Sequence, residues 1–137
     1  MISIDSELQK ITLKFINFLK IEKRLSKNTL ISYQNDLNSF FSLISEICKN
    51  TINCPILENL TLNEFRSWII LRKKKEYSSS STIRATSTIK NFFLFLDQKY
   101  QIKNPNIKNL KTLKSEKTVP RAIDKIDIES IISSIKE

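Results

Sequence analysis

The sequence predicts an all-α chain: a four-helix bundle, then a basic linker, then one further helix. Three observations lead there. Apolar residues recur at 3–4 spacing in four separate stretches, the spacing of one helix face. No stretch alternates apolar and polar residues as a half-buried strand would. Finally, glycine is absent from all 137 residues, and cap-type residues stand where each stripe begins.

The first stripe is Leu8, Ile11, Phe15, Phe18 and Leu19, with Ser6 and Gln9 spaced as a capping box, and it runs to about Lys23. Ser26 is a good N-cap for a second helix, whose stripe is Leu30, Tyr33, Leu37, Phe40, Phe41 and Ile44. Lys49 to Asn59 reads as a loop, because Pro55 should block a helix through it. Thr61, with Glu64 three residues on, opens a third helix that buries Phe65, Trp68 and Ile69. It ends in Arg72-Lys73-Lys74-Lys75, a run equally explained by complementing the helix dipole and by binding an anion. The serine run at 78–81 reads as a loop ending in an N-cap. The fourth helix follows, with Ala85, Ile89, Phe92, Phe93, Leu96 and Tyr100 inside, and Asn104-Pro105 stops it. Without glycine, helix ends must rely on polar residues, and Asn50 and Asn104 fit. Residues 1–106 therefore form one domain. Residues 107–121 form a basic linker, with lysines at 108, 111, 114 and 117. Residues 122–137 form a helix striped with Ile128, Ile131, Ile132 and Ile135 that has no room in the bundle.

Composition narrows function. The formal net charge is +9, and most of the surplus lies between Thr61 and Arg121. Such a surplus favours a polyanionic partner, since each cation placed on a phosphate releases counterions; a merely solvated lysine-rich surface is the alternative. Absent histidine excludes Ser-His-Asp, Cys-His and HExxH chemistry, and absent glycine excludes phosphate-cradling loops. Cys48 and Cys54 lack the partners of a zinc site and read as reduced thiols. No leader or spanning stretch is seen, so a cytoplasmic protein without membrane contact or cofactor is expected. On the fourth helix, Arg84, Ser87 and Asn91, with Lys90 beside them, make a short-chained polar face open to a phosphate backbone.

Two segments then become familiar. Residues 15–43, FINFLKIEKRLSKNTLISYQNDLNSFFSL, carry Ser26, Thr29, Tyr33, Asp36, Leu37, Phe40 and Phe41 in the order S-x-x-T, Y-x-x-D-L and a bulky apolar pair. Residues 80–96, SSTIRATSTIKNFFLFL, carry a hydroxyl residue, an arginine, a small polar residue, a basic position and an F-F-x-F-L run. Asn104-Pro105, a basic stretch, Val119-Pro120-Arg121 and a capped helix follow. This ordered set resembles the N-terminal half of tyrosine recombinases of the Xer type, within the phage integrase family.

The resemblance implies a SAM-like core-binding domain that packs on one face of double-stranded DNA and forms half of a clamp. It implies Lys27, Asn28 and Thr29 at phosphates, Ser80, Thr82, Arg84, Ser87 and Lys90 along the fourth helix, and Lys111 and Lys114 tracking the backbone in the linker. It also implies a partner recombinase subunit in a tetrameric synapse, with the isolated domain monomeric. Chromosome dimer resolution or DNA integration is the implied role. Ser26, Ser80 and Thr82 serve equally well as helix caps. Arg84 reads as DNA-facing, and pairing with a nearby acid is the alternative. Arg84→Ala is accordingly expected to weaken binding without lowering stability. In the family the catalytic arginines, lysine, histidine and nucleophilic tyrosine lie in the C-terminal domain, past the position of residue 137. This chain alone is therefore expected not to cut DNA, and Tyr33, Tyr77 and Tyr100 match core or loop positions. A non-catalytic helical protein-interaction module, or a truncated recombinase remnant, is the rival reading.

Overall fold

The computed structural model describes residues 4–110. The expected C-terminal helix, Lys111 and Lys114 lie outside them. Five α-helices occur among the described residues: α1 (Ser6–Ile21), α2 (Lys27–Cys48), α3 (Cys54–Glu58), α4 (Leu62–Lys74) and α5 (Ser79–Tyr100). A 3₁₀ turn, Ile107–Asn109, follows.

The four expected stripes form the core. Leu8, Ile11, Phe15 and Leu19 of α1 are buried, as are Leu37, Phe40, Phe41 and Ile44 of α2. Phe65, Trp68 and Ile69 of α4 and Ala85, Ile89, Phe92, Phe93 and Leu96 of α5 complete it. Leu30, Tyr33 and Phe18 are half-buried at its rim. Aromatic rings dominate the centre. Phe40 stands edge-on to Trp68 (5.1 Å between centroids, 88°) and also meets Phe41, Phe65 and Phe93. Phe92 bridges from Phe41 to Phe15, the latter 5.2 Å away. These rings interlock with one another, so none is free as a platform for a nucleic-acid base.

Local chemistry explains where each helix begins. Ser26 Oγ accepts from the Thr29 N–H at 3.2 Å, as its position predicts. The Thr61–Glu64 box closes in both directions, at 3.2 Å and 2.8 Å. At α1 the expectation needs correcting. The cap is Asp5, whose Oδ1 accepts from the Leu8 N–H at 2.9 Å. A carboxylate both satisfies an orphan donor and opposes the positive helix end, so it takes the role from Ser6. At α5 the cap is Ser78, whose Oγ accepts from the Ser81 N–H at 3.1 Å. Ser80 and Thr82 lie inside the helix, which removes the capping alternative for both.

The stretch from Lys49 to Asn59 is also corrected, since it contains α3. Pro55 sits in its first turn, where the missing N–H has no partner to lose, and Asn53 Oδ1 caps it through the Ile56 N–H at 2.9 Å. Just before α3, Ile52 forms an isolated parallel bridge to Ile4. α5 ends at Tyr100, short of Pro105. Asn104 is buried instead and ties the exit segment to the end of α3. Its Nδ2 donates to the Leu57 carbonyl at 2.7 Å and the Leu60 carbonyl at 3.1 Å.

Without glycine, four ordinary residues among the described ones occupy left-handed backbone: Arg24, Lys49, Glu76 and Gln101 (φ 53°, 56°, 67° and 54°). Lys49 and Gln101 thus take the helix-terminating places expected of Asn50 and Asn104. Each carries the cost of a Cβ at positive φ. Gln101→Gly is therefore expected to stabilise the domain by about 0.5–1 kcal/mol, even after the added chain entropy. Thermal melting checks this, and an unchanged or lower Tm would contradict it.

Candidate nucleic-acid interface

α2 and α5 lie side by side and antiparallel. Ser39 of α2 is joined to Ser81 and Thr82 of α5 through Arg72, Asp36 meets Arg84, and Tyr33 meets Asn91, so numbers fall along one helix as they rise along the other. The start of α5 therefore lies beside the middle of α2, and the start of α2 beside the last turns of α5. Lys27 is six residues before Tyr33, and Ser80 eleven before Asn91. At 1.5 Å per residue the two lie about 25 Å apart along the seam, less than the ~34 Å turn of B-DNA.

Among the expected contact residues, Lys27 and Asn28 are exposed in the first turn of α2, while Thr29 is half-buried beside Ser26. Ser80, Arg84 and Ser87 are exposed on α5. At about 100° per residue they lie within roughly 60° of one another around the helix, and Asn91 shares the same ridge. Lys90 is exposed but sits roughly 120° around from Arg84. It lines a groove of about 250 Å³ with Leu94, Asp97 and Lys108. The structure thus gathers Ser80, Arg84 and Ser87, and it sets Lys90 on a neighbouring flank beside a second lysine.

Thr82 is not on this surface. It is 6% exposed, and its Oγ1 accepts from Arg72 Nε at 3.0 Å. The helical phase already said so: Thr82 lies three residues before Ala85 and seven before Ile89, on the core face.

Arg84 is paired. Its Nε and Nη2 donate to Asp36 Oδ2 and Oδ1 at 3.1 and 2.8 Å. Thr88 Oγ1 donates to the same Oδ2 at 3.0 Å. Hydrogen bonding to Asp36 holds the guanidinium pKa above its usual value; burial works against that, and the Asp36 charge adds to it. Asp36 is 3% exposed, so removing Arg84 would strand a buried carboxylate. The expectation that Arg84→Ala leaves stability untouched is corrected on that ground. The Arg84 side chain remains half-exposed, and its Nη1 makes no hydrogen bond to the described residues.

Arg72 was legible only as part of a basic run. It is fully buried under the first turn of α5. Nε donates to Thr82, Nη2 to Ser81 Oγ at 2.9 Å and Nη1 to Ser39 Oγ at 3.3 Å. The Tyr77 ring covers its guanidinium at 4.1 Å. Burial lowers its pKa. No carboxylate forms an ion pair with it among the described residues. A positive charge thus lies directly beneath the positive dipole end of α5, where Ser79 and Ser80 reach solvent.

The cysteines are chemically quiet. Burial, with Glu7, Asp5 and Glu58 nearby, pushes the Cys54 thiol up to about 11. Cys48 is raised by burial and by Glu64, to which it donates at 3.7 Å. Among the described residues no group of three or more His, Cys, Asp or Glu could hold a metal ion, and no helix is long and apolar enough to cross a membrane.

Comparison with known proteins adds the following. A family model described as "Phage integrase, N-terminal SAM-like domain" matches residues 13–99. Tyrosine recombinase XerC of Rickettsia bellii (strain OSU 85-389) is 28% identical over 134 residues, covering 98% of this chain and 44% of the relative. XerC of Rickettsia prowazekii (strain Madrid E) is likewise 28% identical, and that of Rickettsia felis (strain ATCC VR-1525 / URRWXCal2) 27%, with the same coverage. The chain therefore spans a little under half the length of these curated relatives. No solved structure matches it.

Proposed function

Because the chain belongs to the family of phage integrase N-terminal SAM-like domains, we propose that it is the part of a XerC-like tyrosine recombinase that grips double-stranded DNA. The observation that carries this reading is the α2/α5 seam, which lies within the matched residues 13–99 and presents cations and small hydroxyl side chains together. Lys27 and Asn28 bind phosphates at the exposed start of α2, with Thr29 behind them. Ser80, Arg84 and Ser87 meet the backbone along α5. Lys90 works from the flank beside Lys108. Lys111 and Lys114, outside the described residues, continue the cationic track. Thr82 leaves the contact set and serves the interface through Arg72.

In this reading residues 1–106 bind DNA, 107–121 link, and 122–137 begin the catalytic part. Phosphodiester chemistry belongs to the rest of the recombinase, which acts with partner subunits in a synapse, in the cytoplasm, to resolve or integrate DNA. The three tyrosines agree with that division of labour. Tyr33 accepts from Asn91 Nδ2 at 3.2 Å, Tyr77 covers Arg72, and Tyr100 packs on Phe95.

Anisotropy of a fluorescent 30-base-pair duplex (about 30 to exceed the seam) tests the reading. Phosphate contacts by the five cations Lys27, Arg84, Lys90, Lys111 and Lys114 imply a salt slope of about 4.5, so affinity for the chain should fall by about three to four decades between about 50 and 300 mM salt. Equal affinity at both concentrations, or no binding at 50 mM, would overturn it.

A further inference from the structure

We propose that Asp36, assisted by Thr88, is a positioning residue that presents Arg84 to a DNA phosphate; the proposal rests on the DNA-binding reading above. A guanidinium has two forks of donors. In Arg84 the side-on fork, Nε and Nη2, is spent on Asp36 at 3.1 and 2.8 Å. The end-on fork, Nη1 with the second proton of Nη2, is left for an acceptor outside the protein, and the side chain is half-exposed. Two-bond recognition of a phosphate needs such a planar fork.

Asp36 is itself fixed. It is buried, and Thr88 donates to Oδ2 at 3.0 Å, so its carboxylate is held by two residues one turn apart on the same face of α5. An unrestrained surface arginine loses rotamer freedom when it binds, and one already clamped avoids most of that loss. The opposing effect is electrostatic, because Asp36 brings a negative charge near the phosphate. Arg72 offsets it. The buried Arg72 is within electrostatic reach of both Asp36 and Arg84, which makes the three together a net single positive charge beside the start of α5. Asp36 also lies behind Arg84 as seen from solvent, so the phosphate meets the cation first.

The two effects predict opposite signs, and this makes the proposal testable. Asp36→Asn removes one negative charge, raising the net charge by one, and breaks one of the two bonds to Arg84. If Asp36 positions Arg84, the folded Asp36→Asn chain binds the duplex about three- to tenfold more weakly at 100 mM salt. In an Arg84→Ala background, where only the charge effect is left, it brings no further loss. Arg84→Lys keeps the charge and loses the fork, so affinity falls while the salt slope stays within one unit of the original. Circular dichroism at the assay temperature certifies that each variant is folded. Tighter or unchanged binding by Asp36→Asn, or additive losses in the double variant, would overturn the positioning role and leave DNA binding intact. Should Asp36→Asn fail to fold, Arg84→Lys decides, because binding as tight as the original chain sinks the proposal. Absence of duplex binding by the original chain at 50 mM salt removes this proposal together with the reading beneath it.

Discussion

Phe40→Ala is expected to cost the domain about 3–5 kcal/mol, which is most of the stability of an ordinary small domain. Phe40 is fully buried at the middle of α2, and rings from α2, α4 and α5 surround it: Phe41, Phe65, Trp68 and Phe93. Truncation removes the transfer energy of the ring and leaves a cavity that rigid aromatic neighbours cannot easily fill. It also removes edge-to-face contacts worth about 0.5–1.5 kcal/mol each beyond burial. Phe40→Leu keeps most of the volume and should cost under half as much. Urea unfolding followed by circular dichroism checks both. A loss below about 1 kcal/mol for the alanine variant would mean that the aromatic cluster closes over the gap.

The same helix ties the proposed DNA-binding face to the fold. One side of α2 supplies Leu37, Phe40, Phe41 and Ile44 to the core. Its edge supplies Tyr33, Asp36 and Ser39 to the polar seam with α5. A shift of α2 relative to α5 would break the Asp36–Arg84 fork and disturb the aromatic cluster together. The proposed binding face is thus held at the precision of a packed core, although most of its side chains are short and exposed.

The parts that were legible in the sequence are those governed by spacing along the chain. The four stripes, the Ser26 cap and the Thr61–Glu64 box involve residues three or four apart, and each is present. α3 escapes a reading in which Pro55 breaks helices, because in a first turn proline breaks nothing. The site was only half legible for a different reason. Asp36 and Arg84 are 48 residues apart, and no local period links them; only packing of α2 on α5 does. For Thr82 and Arg72 the information was present but was outweighed by side-chain character. Arg72 lies four residues after Trp68 and seven after Phe65, on the core face of α4, yet its charge and its Lys-Lys-Lys sequel suggested solvent. Phase around the helix was the better guide in both cases.

Arg72 leads to the second large effect. A buried cation with no paired carboxylate among the described residues is held by three hydroxyl oxygens and the faces of Tyr77 and Trp68. Desolvation opposes its charge, and the planar fork repays that cost by reaching Ser39, Ser81 and Thr82 at once. Arg72→Ala should therefore destabilise by about 2–4 kcal/mol, from the cavity and from a released α5 start. The informative comparison is between two substitutions of similar length. Arg72→Lys retains a charge in the same buried place but cannot span three hydroxyls, so its desolvation is poorly compensated. Arg72→Met discards the charge, fills the volume flexibly, and leaves neutral hydroxyls, of which the part-buried Ser39 and Ser81 can turn to water and Thr82 alone stays buried. The lysine variant should thus melt lower than the methionine variant, although lysine is the chemically closer residue. The opposite order in Tm would mean that the positive charge itself, rather than the guanidinium geometry, secures the first turn of α5 against α2 and α4.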